Sequence, residues 1–152
     1  MFAQLDTKSV YSFMDSVVDL PSYVQRAKEL GYQALGLMDR DNLYAAYHFA
    51  QLATKHGLRP LIGMEANLVY EGRMIAFRLL AKNNQGYKHL MKLATELSSG
   101  QREFTALSNY LNEIALILPS EEWEPGMAFE SDVFIGVRPE DAGKEFDYPV
   151  LP

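Results

Sequence analysis

The 152 residues are 48% apolar and 22% charged, an ordinary globular composition with enough length for one domain around a hydrophobic core. The chain contains no cysteine, which excludes disulfides, thiolate catalysis and cysteine-ligated zinc and fits a reducing, cytoplasmic setting. A formal charge of −6 argues against a broad nucleic-acid-gripping face, and no window approaches the ~18 apolar residues of a membrane span.

In chain order, a short strand is expected over Phe2 to Thr7, followed by a helix over DLPSYVQRAKELG. Pro21 suits the helix's first turn, Leu20, Tyr23, Val24, Ala27 and Leu30 recur at helical spacing, and Gly31 suits the position after its end. Gln33 to Met38 reads as the next strand, and Asp41 or Asn42 is placed to cap a second helix, NLYAAYHFAQLATKHG. That helix is expected to bury Leu43, Ala46, Tyr47, Ala50 and Ala53 and to stop at Gly57.

RPLIGMEANLVY then predicts a longer strand, Glu71-Gly72-Arg73 a turn, and MIAFRLLAK its hairpin partner. A third helix over NQGYKHLMKLATELSSG carries Tyr87, Leu90, Met91, Ala94 and Leu97 at helical spacing. Beyond it, TALSNYL suggests a short helix, EIALIL a strand, SEEWEPGMAFE an acidic loop, and SDVFIGV a strand with Val133, Ile135 and Val137 on one side. Alternating strands and helices with short connections predict an α/β fold with a largely parallel sheet, open or rolled into a barrel. The strands are few for a complete barrel and the chain closes on apolar Tyr148-Pro149-Val150-Leu151-Pro152, so the expectation is one domain over 1–152, the N-terminal part of something longer.

Chemistry concentrates in the carboxylates at strand ends: Asp6, Asp39, Asp41 and Glu65. In a parallel sheet these can converge on one edge and hold a hard cation. Lys8 and Arg40 stand beside them, and fixed positive charges compete for the same oxygens, so helix capping by Asp39 and Asp41 with pairing to Arg40 or Lys8 is the plainer reading. His48, His56 and His89 are not spaced as metal ligands, and neither a phosphate-binding glycine loop nor a G-x-S-x-G elbow is present.

Three ordered blocks, FAQLDTKSVYSFMDS, RAKELGYQALGLMDRDNLYAAYHFAQLATKHGLRPLIGMEANL and LLAKNNQGYKHLMKLATE, resemble the amino-terminal PHP (polymerase and histidinol phosphatase) domain of bacterial replicative polymerase alpha subunits of the DnaE type. The likeness is carried by residues 2 to 97 and is looser beyond. It implies a distorted, TIM-like (β/α) barrel. Metal-binding members of that family carry H-x-H on the first strand, T-D-H at the end of the second and G-x-E on the third. At the matching positions this chain has Asp6 and Lys8, then Met38-Asp39-Arg40, while Asp15 and Glu65 keep the acidic type. Lys8 and Arg40 offer no neutral lone pair to a metal at neutral pH. The resemblance therefore implies a degenerate site of Asp6, Lys8, Asp15, Asp39, Arg40 and Glu65 with no catalytic residue and no metal, its carboxylates neutralised by Lys8 and Arg40.

On this reading the chain is a structural or docking region of a polymerase, and nucleotidyl transfer with its Mg²⁺ belongs to carboxylates elsewhere in the full protein. The implied partners are the rest of that chain, DNA through the full protein, and a proofreading exonuclease and sliding clamp, with no membrane. The alternatives are an active metal-dependent phosphoesterase or 3′ to 5′ exonuclease drawing ligands from outside these residues, and a free-standing α/β module.

Overall fold

The computed structural model describes residues 3–151 apart from 13, 15, 138 and 142, and among them seven strands lie in one sheet in chain order. β1 (Ala3–Gln4), β2 (Ala34–Arg40) and β3 (Arg59–Tyr70) are parallel. β4 (Arg73–Ala81) runs antiparallel to both β3 and β5 (Ile114–Pro119), and β6 (Asp132–Gly136) and β7 (Val150–Leu151) continue parallel to β5. The result is the expected α/β architecture, part of a TIM-like barrel, with one reversed strand made by the β3–β4 hairpin.

That hairpin turns on Glu71 and Gly72, both at positive φ (49° and 79°), between the paired residues Tyr70 and Arg73. Two consecutive left-handed residues give a turn whose twist matches the strands it joins. It fixes the register by which Glu65 faces Arg78.

Three helices of ten or more residues cover one face of the sheet. α1 (Leu20–Glu29) begins at Asp19, whose carboxylate accepts from Ser22 N at 3.1 Å, carries Pro21 in its first turn and is followed by Gly31 at φ 76°. It buries Leu20, Val24 and Ala27 against Leu35 and Leu37 of β2 and Phe49 and Ala53 of α2 (Ala46–Lys55). α3 (Asn84–Ser98) is capped by Asn83 Oδ1, which accepts from Gln85 N and Gly86 N, and buries Leu90, Leu93 and Leu97.

These leucines join Met64, Ala66 and Leu68 of β3, Ile75, Phe77 and Leu79 of β4, Leu116 and Leu118 of β5 and Val133 and Ile135 of β6. Phe104, at the start of the single-turn α4 (Phe104–Leu107), packs with Phe77, Tyr70 and Phe129 at ring-centroid distances of 5.3 to 5.4 Å. Strand alternation puts both clusters on the same side of the sheet. The opposite side carries Gly36, Met38 and Arg40 of β2, Gly63 and Glu65 of β3 and Arg78 of β4.

Several expectations shift. The first strand contracts to Ala3–Gln4, Phe2 lies outside the described residues, and Asp6 and Lys8 fall in the extended segment that follows, where Thr7 O accepts from Met38 N at 2.7 Å. α2 starts at Ala46 with Ala45 as its cap residue and no side-chain cap bond, so neither Asp41 nor Asn42 caps it. Asn42 Oδ1 accepts instead from Tyr44 N at 3.1 Å and closes a local turn. The buried stripe of α2 is Ala46, Phe49 and Ala53, while Tyr47 is 70% exposed. In α3, Leu93 is buried and Met91 is exposed.

Close approach explains Gly36. A Cβ there would sit 2.4 Å from Leu5 O and 2.7 Å from Leu5 Cα, both backbone atoms. Gly36→Ala is expected to destabilise the fold by about 1–3 kcal/mol, measured as a lowered urea midpoint at unchanged m-value.

Candidate functional site

Register brings three charges side by side. Arg40 of β2 pairs with Glu65 of β3, and Glu65 pairs with Arg78 of β4, so all three project from the side of the sheet away from the helices. Arg40 Nε donates to Glu65 Oε1 at 3.0 Å, Lys8 Nζ lies 2.9 Å from Oε2, and Arg78 NH2 lies 3.8 Å from the same oxygen. Arg78 Nε also donates to Asp6 Oδ2 at 2.8 Å. Glu65 is 3% exposed, so a nearly buried carboxylate is surrounded by three cations and Asp6 balances one of them at the rim.

Burial pushes the Glu65 carboxyl up. The hydrogen bonds from Lys8 and Arg40 and the charges of Lys8 and Arg78 outweigh it and hold the group below its usual range.

Asp39, the neighbour of Arg40, points the other way. The pleat turns it toward the helical face, where it is 2% exposed. Ser9 N donates to its Oδ1 at 2.6 Å, Ser12 Oγ to the same oxygen at 2.7 Å, and Ser9 Oγ to Oδ2 at 2.7 Å. Ser12 Oγ also accepts from Arg40 N at 3.0 Å and so links this hydroxyl pocket to the ionic row. Both serines are buried.

Asp41 occupies a third location. Its backbone is left-handed, with φ 54°, its Oδ1 accepts from Asn67 N at 3.1 Å, and its Oδ2 accepts from Arg102 NH2 at 2.9 Å. Arg102 NH1 donates to Asn67 O, so this pair ties the end of β2 to the outer part of β3.

The carboxylates expected to converge are thus distributed over separate pockets. Lys8 and Arg40 meet at Glu65 and not at Asp39 or Asp41, with which the residue pattern alone pairs them, and Asp6 joins that group through Arg78, which the sequence offers only as part of a hairpin strand. Asp39 is held by serines that were not singled out. Asp15 lies outside the described residues. Among the histidines, His56 Nδ1 donates to Leu52 O at 2.9 Å and His89 Nδ1 to Asn112 O at 2.7 Å, each serving its own helix or a neighbouring loop. Behind Gly36, the Tyr23 hydroxyl lies 2.7 Å from Thr7 Oγ1 and 3.2 Å from Gly36 O, and burial raises its pKa to about 12.

Side chains gathered where β2 ends beside β3, in a sheet whose parallel strands are joined through helices, are the arrangement of the α/β-barrel class of proteins. Within that class the chain belongs to the PHP domain family, whose model matches residues 4–124. It is 47% identical over 137 residues to the DNA polymerase III subunit alpha of Streptococcus pyogenes and 32% identical over 117 residues to that of Halalkalibacterium halodurans. These alignments take in 90% and 73% of this chain but only 13% and 10% of the relatives' length. Among solved structures, a protein from Bifidobacterium adolescentis described as a metal-dependent phosphoesterase superposes with a TM-score of 0.53 at 18% identity, covering 64% of this chain and 33% of that one. An amidohydrolase from Chromobacterium violaceum gives the same score and identity. Both likenesses concern the fold.

The residues present do not suit the metal that PHP phosphoesterases carry. Both oxygens of Glu65 are bonded to cations, and both oxygens of Asp39 accept hydrogen bonds from serine. Among the described residues, no three His, Asp or Glu side chains converge as metal ligands.

The ionic row gives the stability a defined pH dependence. The folded pKa of Glu65 lies below its unfolded value, so its contribution is complete above the unfolded pKa of about 4.3 and is lost as pH falls through the folded value. Urea midpoints measured from pH ~7 down to ~3 are expected to drop in that acid range. In Glu65→Gln this component of the fall disappears.

Proposed function

We propose that this chain is the amino-terminal PHP region of a DNA polymerase III alpha subunit and that its own cleft is a phosphoesterase site in which ion pairs stand where a metal would be. The observation that carries the second half is the capture of both Glu65 oxygens by Lys8 and Arg40, at 2.9 and 3.0 Å. A carboxylate already neutralised by two fixed cations attracts an incoming metal far less than a free one. A metal arriving there would also meet three positive charges in a nearly buried place. The first half is supported by the 47% identity to the streptococcal subunit, which runs through nearly all of this chain.

In this reading the region performs no catalysis. Residues elsewhere in the full protein carry out DNA-directed DNA synthesis with Mg²⁺, and contact with DNA, a proofreading exonuclease and a sliding clamp belongs to the assembled polymerase in the cytoplasm. Lys8 and Arg40 would be retained for stability. Replacing either cation leaves part of the charge on the nearly buried Glu65 without compensation.

Two measurements test this. Elemental analysis of the purified protein is expected to give substoichiometric Zn, Mn and Fe, with no metal-stimulated phosphoesterase or 3′ to 5′ exonuclease activity. A full equivalent of metal, with activity abolished by Asp39→Ala, would establish the enzymatic alternative. Lys8→Met and Arg40→Met are each expected to lower unfolding stability by about 1–3 kcal/mol. Unchanged stability in the double variant would rule out internal neutralisation as the role of these cations.

A further inference from the structure

Charge is unevenly distributed along the chain. Residues 103–152 hold eleven of its twenty Asp and Glu and only two of its fourteen Lys and Arg. Within this acidic part lies a cleft of about 440 Å³ with three boundaries: the hairpin end at Tyr70 and Glu71, the α4-bearing segment from Glu103 to Asn112, and the approach to β6 at 128–131. Tyr70, Phe104 and Phe129 form its apolar wall, each ring centroid 5.1 to 5.4 Å from the other two.

Three carboxylates line the same cleft, Glu71, Glu103 and Glu130, one from each boundary, and among the described residues no Lys, Arg or His does. Val69 pairs with Glu103, its N donating to Arg102 O at 2.7 Å, which sets Glu103 beside the strand end that carries Glu71. The cations nearest in sequence are committed elsewhere: Arg102 to Asp41, Arg73 to Glu124 and Lys82 to Asp132. Local structure does not call for these carboxylates either. Glu103 precedes α4 without a side-chain cap bond, and Glu71 holds a left-handed turn position, φ 49°, that favours Asn or Gly. Like charges gathered in a concave, partly apolar place focus a negative potential that a cation from outside relieves.

We infer that this cleft is a docking site for a basic peptide segment of another protein. An apolar or aromatic side chain of that segment enters against Tyr70, Phe104 and Phe129, and flanking Lys or Arg residues meet Glu71, Glu103 and Glu130. The aromatic wall supplies the anchor, and the carboxylates select the sign of the partner. Nucleic acid carries the wrong charge for this cleft, and a second copy of the chain brings the same net charge of −6. None of Lys8, Arg40, Glu65 and Arg78 lines it, so the inference is independent of how the ionic row is read.

The test is fluorescence anisotropy with the full-length protein and a short labelled peptide in which one Phe stands between pairs of Lys. The peptide is expected to bind, more weakly as salt is added, and its counterpart with Glu in place of Lys is not. Glu103→Lys with Glu130→Lys is expected to weaken binding about tenfold or more, and Thr105→Trp, which fills the cleft at unchanged charge, to do the same. Glu122→Lys with Glu145→Lys, an equal charge change outside the cleft, is expected to alter it by less than about twofold. Should the cleft reversal unfold the protein, Glu103→Gln with Glu130→Gln removes the charge at constant shape and carries the same expectation. Equal losses from the two reversals would make the binding a matter of net charge alone and overturn the site, as would undiminished binding in Thr105→Trp. Absence of binding to the full-length protein, including a cleft already filled by its own later residues or by a second copy, would overturn the inference as well. A full-length protein without polymerase activity would remove the polymerase reading and leave this expectation as it stands.

Discussion

Glu65 is the residue on which the mouth of this sheet depends. Burying one carboxylate almost completely is expensive unless its charge is met, and here three cations from three different parts of the chain meet it: Lys8 from the first connection, Arg40 from β2 and Arg78 from β4. Because each cation arrives from a separate element, the ionic row also acts as a fastener. It fixes β2 against β3, β3 against β4, and the segment after β1 against all of them.

Alternation then divides the functions of adjacent residues. Arg40 and Asp39 are covalent neighbours, yet one faces the ionic row and the other faces the helical side and the serines. The Ser12 hydroxyl, accepting from Arg40 N while donating to Asp39, spans the two. A change at either residue can thus be felt by the other without any direct contact between their side chains.

The order of strands and helices could be read from the sequence because apolar periodicity and Gly, Pro and Asn punctuation are local signals. Pro21 and Gly31 sit where such rules put them. The misplacements are nonlocal in origin. Tyr47 fits a helical stripe as well as Phe49 does, and only the position of β2 and α1 decides that Phe49 turns inward. Asp41 is a good cap residue on paper, but Arg102, 61 residues away, and the amide of Asn67 draw it into a left-handed turn instead. Of the site, Lys8, Arg40 and Glu65 were recognisable as charges among strand ends. Arg78 was hidden because nothing in MIAFRLLAK tells which residue will face Glu65, although an arginine centred between apolar neighbours on a hairpin strand is the available hint. Ser9 and Ser12 gave no signal, since serines in a loop are ordinary.

The two-residue turn at Glu71-Gly72 has a consequence for assembly in time. A hairpin closed by such a turn forms on the order of microseconds, long before parallel strands separated by whole helices find one another. Hairpin closure places Arg78 opposite Glu65 through sequence-local pairing, whereas Arg40 and Lys8 come to it across longer stretches of chain. The charge that most resists burial thus has one cation within the hairpin itself, and its contacts with Arg40 and Lys8 require the parallel part of the sheet to be in register.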